Sequence, residues 1–147
     1  MRAKHIAQLN LALALNLMRL TRREARSRHA LPIAIAVLDN GGNLVAIQRE
    51  DGASLARVDI AYAKAWGALG LGIGTRTIAA RAAQNPAFIQ NAATLLSGRL
   101  IPSPGGVIIT LTDGTIIGAI GVSGDTGEID EACALSAIQS LDLLALV

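Results

Sequence analysis

The chain has 147 residues, of which 52% are drawn from AVILMFWYC and only 16% are charged, and its formal net charge is +2. This length suits one domain around one core and leaves no room for a second. With Tyr62, Trp66 and Phe88 as its only aromatic residues and no basic stripe, the chain is not expected to read nucleic acid.

Ile6, Leu9, Leu13, Leu17 and Leu20 fall three or four residues apart, the stripe of an amphipathic helix over about Lys4 to Ser27. The apolar run is too short for a bilayer and is interrupted by Asn10 and Asn16. It is therefore read as a retained helix, with no membrane partner expected. Arg22, Arg23, Arg26 and Arg28 sit near the helix C-terminus, where cations complement the macrodipole; the cluster reads as a solvated helix end, with an anion contact as the alternative. His29 and Pro32 mark the stop.

Ile33 to Leu38 and Asn43 to Gln48 are short apolar runs separated by Asp39, Asn40, Gly41 and Gly42, which predicts a β-hairpin. After the Asp51-Gly52 break, Leu55, Val58, Ala61, Tyr62, Ala65, Trp66 and Leu69 recur at helical spacing, with Ser54 as the expected N-cap. Gly70, Gly72 and Gly74 end that helix, and Thr75 to Asn91 reads as short helical pieces broken by Pro86. The alternate glycines make neither a full dinucleotide-binding fingerprint nor a phosphate loop.

Ser97 to Gly106 is a proline-stiffened loop. Val107 to Thr112 and Thr115 to Val122 are strands joined across Asp113-Gly114, and the second, apolar on both faces, is expected at the sheet centre. A last helix follows Ser123 to Gly127. Asp125 and Glu128 have capping-box spacing, and Ile129, Cys133, Ala137, Leu141 and Leu144 form the expected buried stripe. The order α-β-β-α-(short α)-β-β-α predicts an α+β fold with a small antiparallel sheet in a single domain over residues 1–147.

Low charge predicts a surface partly covered by other copies, as a dimer or a multiple of dimers. Cys133 is the sole cysteine, which rules out an intramolecular disulfide and makes the cytoplasm the expected compartment.

Several segments together resemble one family. Asp39-Asn40-Gly41-Gly42-Asn43-Leu44, Arg49-Glu50-Asp51-Gly52-Ala53 and Ala61-Tyr62-Ala63-Lys64-Ala65 resemble the first half of the GlcG/HbpS family of haem-binding-like proteins. Gly98 to Pro102, Pro104-Gly105-Gly106-Val107, Asp113-Gly114, Gly118 to Gly124 and Asp130-Glu131 follow its second half in order and spacing. The resemblance implies a profilin-like fold and dimers that build into rings such as octamers. It also implies kinship with the C-terminal domain of PduO-type corrinoid adenosyltransferases, with a protein encoded with glycolate-oxidation enzymes and with proteins encoded beside diol and glycerol dehydratases. Haem becomes the implied cofactor. The chain departs from the family pattern at Ile108, where many members have Pro, and at Gly127 and Ile129, in place of Pro and Gln.

The candidate ligand-binding residues are Arg49, Asp51, Lys64, Gly105, Gly106, Ser123, Gly124 and Asp130. Lys64 has two readings: an amine with a lowered pKa facing a pocket, or a side chain reaching the surface or paired with Asp59 or Asp51. Ser123 and Gly124 open the last helix, where free N–H groups either meet an anion beside Gly105-Gly106 or are capped from within. His5 and His29 are the only histidines and the candidate iron ligands. The favoured function is an oligomeric small-ligand binder, with haem or another tetrapyrrole as a ligand, accessory to an oxidative or cobalamin-linked pathway. Two alternatives stand beside it. One is a cofactor-independent isomerase or lyase in which Lys64, with Asp39, Asp51 or Asp130, moves a proton on a small carbonyl or hydroxy acid at a subunit interface. The other is an oligomer that scaffolds partner enzymes.

Overall fold

A computed structural model describes residues 9–147. The first helix, α1 (Leu11–Ser27), is capped by Asn10, whose side chain accepts a hydrogen bond from the Leu13 N–H. The helix thus starts at Asn10 instead of running through it from Lys4, because the Asn side chain competes for the first-turn donors. Residues 4–8 of the expected helix lie outside the described residues. Ala14, Leu17, Met18, Thr21 and Ala25 are the buried face of α1.

The first hairpin, β1 (Ala34–Asp39) and β2 (Leu44–Arg49), is closed by Asp39, whose Oδ1 accepts from the N–H groups of Gly41 and Asn43. Gly42 takes the left-handed conformation there, at φ +79°. Then follow α2 (Ala56–Leu71), α3 (Thr75–Gln84) and α4 (Pro86–Leu95). Leu55, not Ser54, occupies the N-cap position of α2 and makes no side-chain cap. Asn85 caps α4, with Pro86 in the first turn, where its missing N–H costs nothing. The chain ends with β3 (Gly106–Thr110), β4 (Ile116–Ser123), α5 (Gly127–Ser140) and β5 (Leu144–Leu146).

The sheet order is β2-β1-β4-β3-β5, with every pairing antiparallel. The fold is α+β, and β4 is central as its two-sided apolar pattern requires. The last helix is shorter than its stripe implies: Asp142, at φ +56°, turns the chain, and Leu144 joins an edge strand pairing with β3.

Alternation along the strands sorts the core into two layers. Ile35, Val37, Val107, Ile109, Ile120 and Val122 face α1 and α5 in the principal core. The opposite face is paved with small residues, Ala34, Ala36 and Ala119 among them, and α2 lies on it through Ala61 and Ala65. There is no space between them: a Cβ on Gly121 would run into the Ala61 carbonyl, and one on Gly106 into that of Lys64. This close seating of α2 brings Lys64 to the sheet. A separate cluster of Ile78, Ile89 and Leu100 holds α3 and α4. No described helix is long and apolar enough to cross a membrane.

Candidate functional site

Two groups of side chains meet at the end of the sheet where β1 begins and β4 ends. The first is buried. Lys64, 3% exposed, donates from Nζ to the Val122 carbonyl at 2.9 Å and to Asp130 Oδ2 at 3.3 Å. Asp130 is 1% exposed in the first turn of α5, and its Oδ1 accepts from the Asp125 N–H at 3.0 Å. The partner of Lys64 is therefore Asp130, not Asp59 or Asp51, and its head group does not reach the surface.

Gly105 makes this possible, since a Cβ there would stand 2.8 Å from Lys64 Nζ. Thr75 clamps the neighbouring glycine, its Oγ1 accepting from the Gly106 N–H at 2.7 Å and donating to the Gly106 carbonyl at 3.3 Å. Ser123 is fully buried and accepts from Arg57 Nη1 at 3.1 Å. A Cβ on Gly124 would strike the Pro32 carbonyl, so the chain at Pro32 lies directly against this corner. Beside the pair, Arg76 Nε donates to Glu131 Oε1 at 2.9 Å and Oε2 at 3.2 Å, with Glu131 also buried.

Desolvation lowers the Lys64 pKa and raises that of Asp130, while their mutual attraction opposes both shifts. The N-cap of α5 is Thr126, accepting from the Ile129 N–H, rather than a box made by Asp125 and Glu128. Asp125 instead accepts from the Leu31 N–H at 2.8 Å and from the Thr126 N–H at 2.7 Å, contacts that hold its carboxyl below the ordinary value of 3.8.

The second group lines an open cleft of about 560 Å³ between α1 and β2. Arg22 and Arg26 form one wall and Gln48, Arg49, Glu50 and Asp51 the other, with Pro32 beside the fully buried Ile33 and Ile35 at its base; Arg49 Nη1 donates to the Ala53 carbonyl at 3.5 Å. Glu50 Oε1 binds Arg26 Nη2 at 3.1 Å and the Ile33 N–H at 2.9 Å, so Arg26 is neutralised by its neighbour. Arg22 and Arg49 have no ion-pair partner among the described residues. Gln48 carries a buried amide oxygen with no donor among those residues.

Of the residues singled out in the sequence, Lys64, Gly105, Gly106, Ser123, Gly124 and Asp130 come together in the buried corner, and Arg49 and Asp51 line the cleft. Asp39 closes the turn at the far end of β1. His29 is exposed in a left-handed turn after α1, at φ +54°, and His5 lies outside the described residues. Cys133 is buried, and desolvation pushes its thiol up to about 11. No group of three or more His, Cys, Asp or Glu side chains placed to hold a metal ion occurs among the described residues. Sequence reasoning passed over Arg57, Thr75 and Arg76 altogether, and it read Arg22 and Arg26 as a solvated helix end.

A five-stranded antiparallel sheet with two helices on one face and a closely seated helix on the other is a profilin-like α+β domain. The same arrangement occurs in the crystal structure of a PduOC:haem complex, which superposes with a TM-score of 0.83 at 25% identity, covering 94% of this chain and 98% of that one. The crystal structure of HbpS superposes with a TM-score of 0.78 at 26% identity, covering 95% and 94%. A Citrobacter freundii relative, an uncharacterized 15.0 kDa protein from the dhaT-dhaS intergenic region, is 33% identical over 137 residues, covering 93% of this chain and 94% of its own length. The chain belongs to the HbpS-like family, whose model, described as haem degrading protein HbpS-like, matches residues 9–139.

Proposed function

We propose that this protein is an oligomeric binder of haem or a related tetrapyrrole, accessory to an oxidative or cobalamin-linked pathway, with the α1–β2 cleft as its ligand site. The observation that carries this reading is the cleft itself, found in a fold that superposes on a haem complex over 94% of the chain. Its volume lies within the range of small-molecule sites, roughly 300 to 1,000 Å³. A porphyrin presents an apolar ring and two carboxylates, which suit Pro32 and the exposed guanidinium of Arg22, free of ion-pair partners among the described residues. None of the described lining residues is a His, Cys, Met or Tyr, the usual side-chain ligands of haem iron. An axial ligand would come from His29, from His5 or from another copy of the chain.

Self-association is supported by apolar side chains left in solvent. Leu11 and Leu15 stand one turn apart on α1, and Phe88 and Leu95 two turns apart on α4. The enzyme reading draws on the lowered pKa of Lys64, but a head group already bonded to Asp130 and to a backbone carbonyl favours a structural role for it.

Titration with haem is expected to shift and sharpen the Soret band and to saturate at a fixed ratio to chain. Light scattering on the same samples is expected to give an even multiple of 15.1 kDa. An unshifted band would remove haem from the reading, and the mass of a single chain at micromolar concentration would remove self-association.

A further inference from the structure

We infer that the exposed face of α4 is an interface between two copies of this chain, which meet antiparallel across a two-fold axis at Asn91. This inference rests on the self-association in the proposed function and names its surface. From Ala82 to Gly98 the chain carries no charged residue, its longest run of that kind. Such a run is ordinary in a core, but α4 lies largely in solvent. Only Ile89 is buried, packed with Ile78 and Leu100, and Ala92, Ala93 and Leu96 lean on the same cluster. On the outer side Phe88 is 58% exposed and Leu95 82%. The inner face of the helix is thus already packed, while the outer face lacks the charges that a solvent-facing helix normally carries.

Three features select a second copy as the partner that covers it. A two-fold axis sets a patch against itself, so a charge near the axis meets its own like charge, and an uncharged patch escapes that repulsion. The exposed polar side chains of the helix, Gln90, Asn91 and Thr94, each carry both a donor and an acceptor, so each can pair with an identical group. The last feature is spacing. Asn91 lies in the middle of α4, with Phe88 about 4.5 Å before it along the axis and Leu95 about 6 Å after it, at roughly 1.5 Å per residue. Turning the helix over about Asn91 therefore brings Phe88 of each copy against Leu95 of the other, with the two amides between them. The other exposed apolar side chains stand among charges. Leu11 and Leu15 lead along the same face of α1 to Arg19 and Arg22, Leu55 is one turn before Asp59, and Leu144 follows Asp142.

The test places a charge on the axis in the whole chain. Asn91→Asp and Asn91→Lys are each expected to weaken association by about tenfold or more, because the new charge faces its own copy. Light scattering at micromolar concentration is then expected to give about half the wild-type mass or less. Far-UV circular dichroism is expected to match the wild type, since Asn91 is exposed within each copy. Mixed in equal amounts, the two variants are expected to recover the wild-type mass, as an Asp on one copy now faces a Lys on the other. A multimeric wild type whose two charged variants keep its mass would overturn the inference and leave self-association standing through another face. Variants that dissociate and do not recover on mixing would overturn it too, because Asn91 would then meet a different part of the other copy. The mass of a single chain for the wild type would remove both the interface and the self-association.

Discussion

Lys64→Met is expected to destabilise the fold by about 3 to 5 kcal/mol, a large part of the ~5 to 15 kcal/mol available to a domain of this kind. Methionine keeps most of the length and apolar contact of the lysine stem but removes the charge. Asp130, 1% exposed, is then left as a buried carboxylate held by the Asp125 N–H, with no other ion-pair partner among the described residues. The cost comes from that orphaned charge more than from the lost attraction. The double replacement Lys64→Met with Asp130→Leu is therefore expected to recover much of the loss, since no buried charge remains. The pH dependence follows in sign. Asp130 already has its pKa raised above the ordinary 3.8 by burial, and removing the lysine raises it further. A carboxyl of this kind binds its proton more tightly in the folded than in the unfolded chain. The penalty in Lys64→Met is thus full above the folded-state pKa and fades as the pH falls toward 3.8. Urea unfolding at several pH values measures both effects. A loss below about 1 kcal/mol, the range of a solvent-exposed pair, would show that the lysine is not buried against Asp130.

Gly121→Ala is expected to cost about 3 kcal/mol or more, the upper end of the range for an overpacked core. The new methyl group has nowhere to go, because it meets the Ala61 carbonyl and the Ala65 N–H, both backbone atoms of α2 that cannot rotate aside. The helix must lift from the sheet, taking Lys64 with it. In a domain of 147 residues this loss corresponds to a fall in melting temperature of roughly 6 to 12 °C. Gly98→Ala is the control for backbone strain alone: Gly98 has φ +78° with nothing within 4 Å of an added Cβ, so only about 1 to 2 kcal/mol is expected. Thermal melting of the two variants gives the order. If Gly121→Ala melts within a degree of the wild type, α2 does not sit on the sheet as described.

These contacts explain what the sequence could and could not convey. The hairpins are legible because their turns are local: Asp39 and the glycines after it make a turn with their own backbone, and Asp113-Gly114 does the same. The central place of β4 follows from an apolar pattern on both faces. The glycines of the second half resemble a family pattern, and the structure supplies their cause in the approach of α2 and of Pro32. By contrast, β5 is hidden because Leu141 and Leu144 continue the three- and four-residue spacing of α5, and only the left-handed turn at Asp142 breaks it. Asp125 looks like a cap from its spacing to Glu128, yet it binds Leu31, 94 residues away in the chain. The pairing of Lys64 with Asp130 spans 66 residues, and sequence alone offered Asp130 only as one of three acids to act with the lysine, while the ion-pair partners it named, Asp59 and Asp51, lie nearer in the chain.

The candidate cleft is a tertiary feature of the same kind. Arg22 and Arg26 belong to one element, Gln48 and Arg49 to another, and neither segment alone has the look of a site. The arginines at the end of α1 read as a solvated terminus because cations are common there for electrostatic reasons alone. Packing of α1 across the start of the first hairpin converts that terminus into a wall. Arg49 and Asp51 were legible as parts of a motif, but their partners across the cleft were not.

A crystal structure of the protein grown with haem tests the central claim most directly. The account predicts ring density over Pro32 in the α1–β2 cleft, with a carboxylate against Arg22. Ordered haem elsewhere on the chain, with the cleft left to solvent, would contradict it.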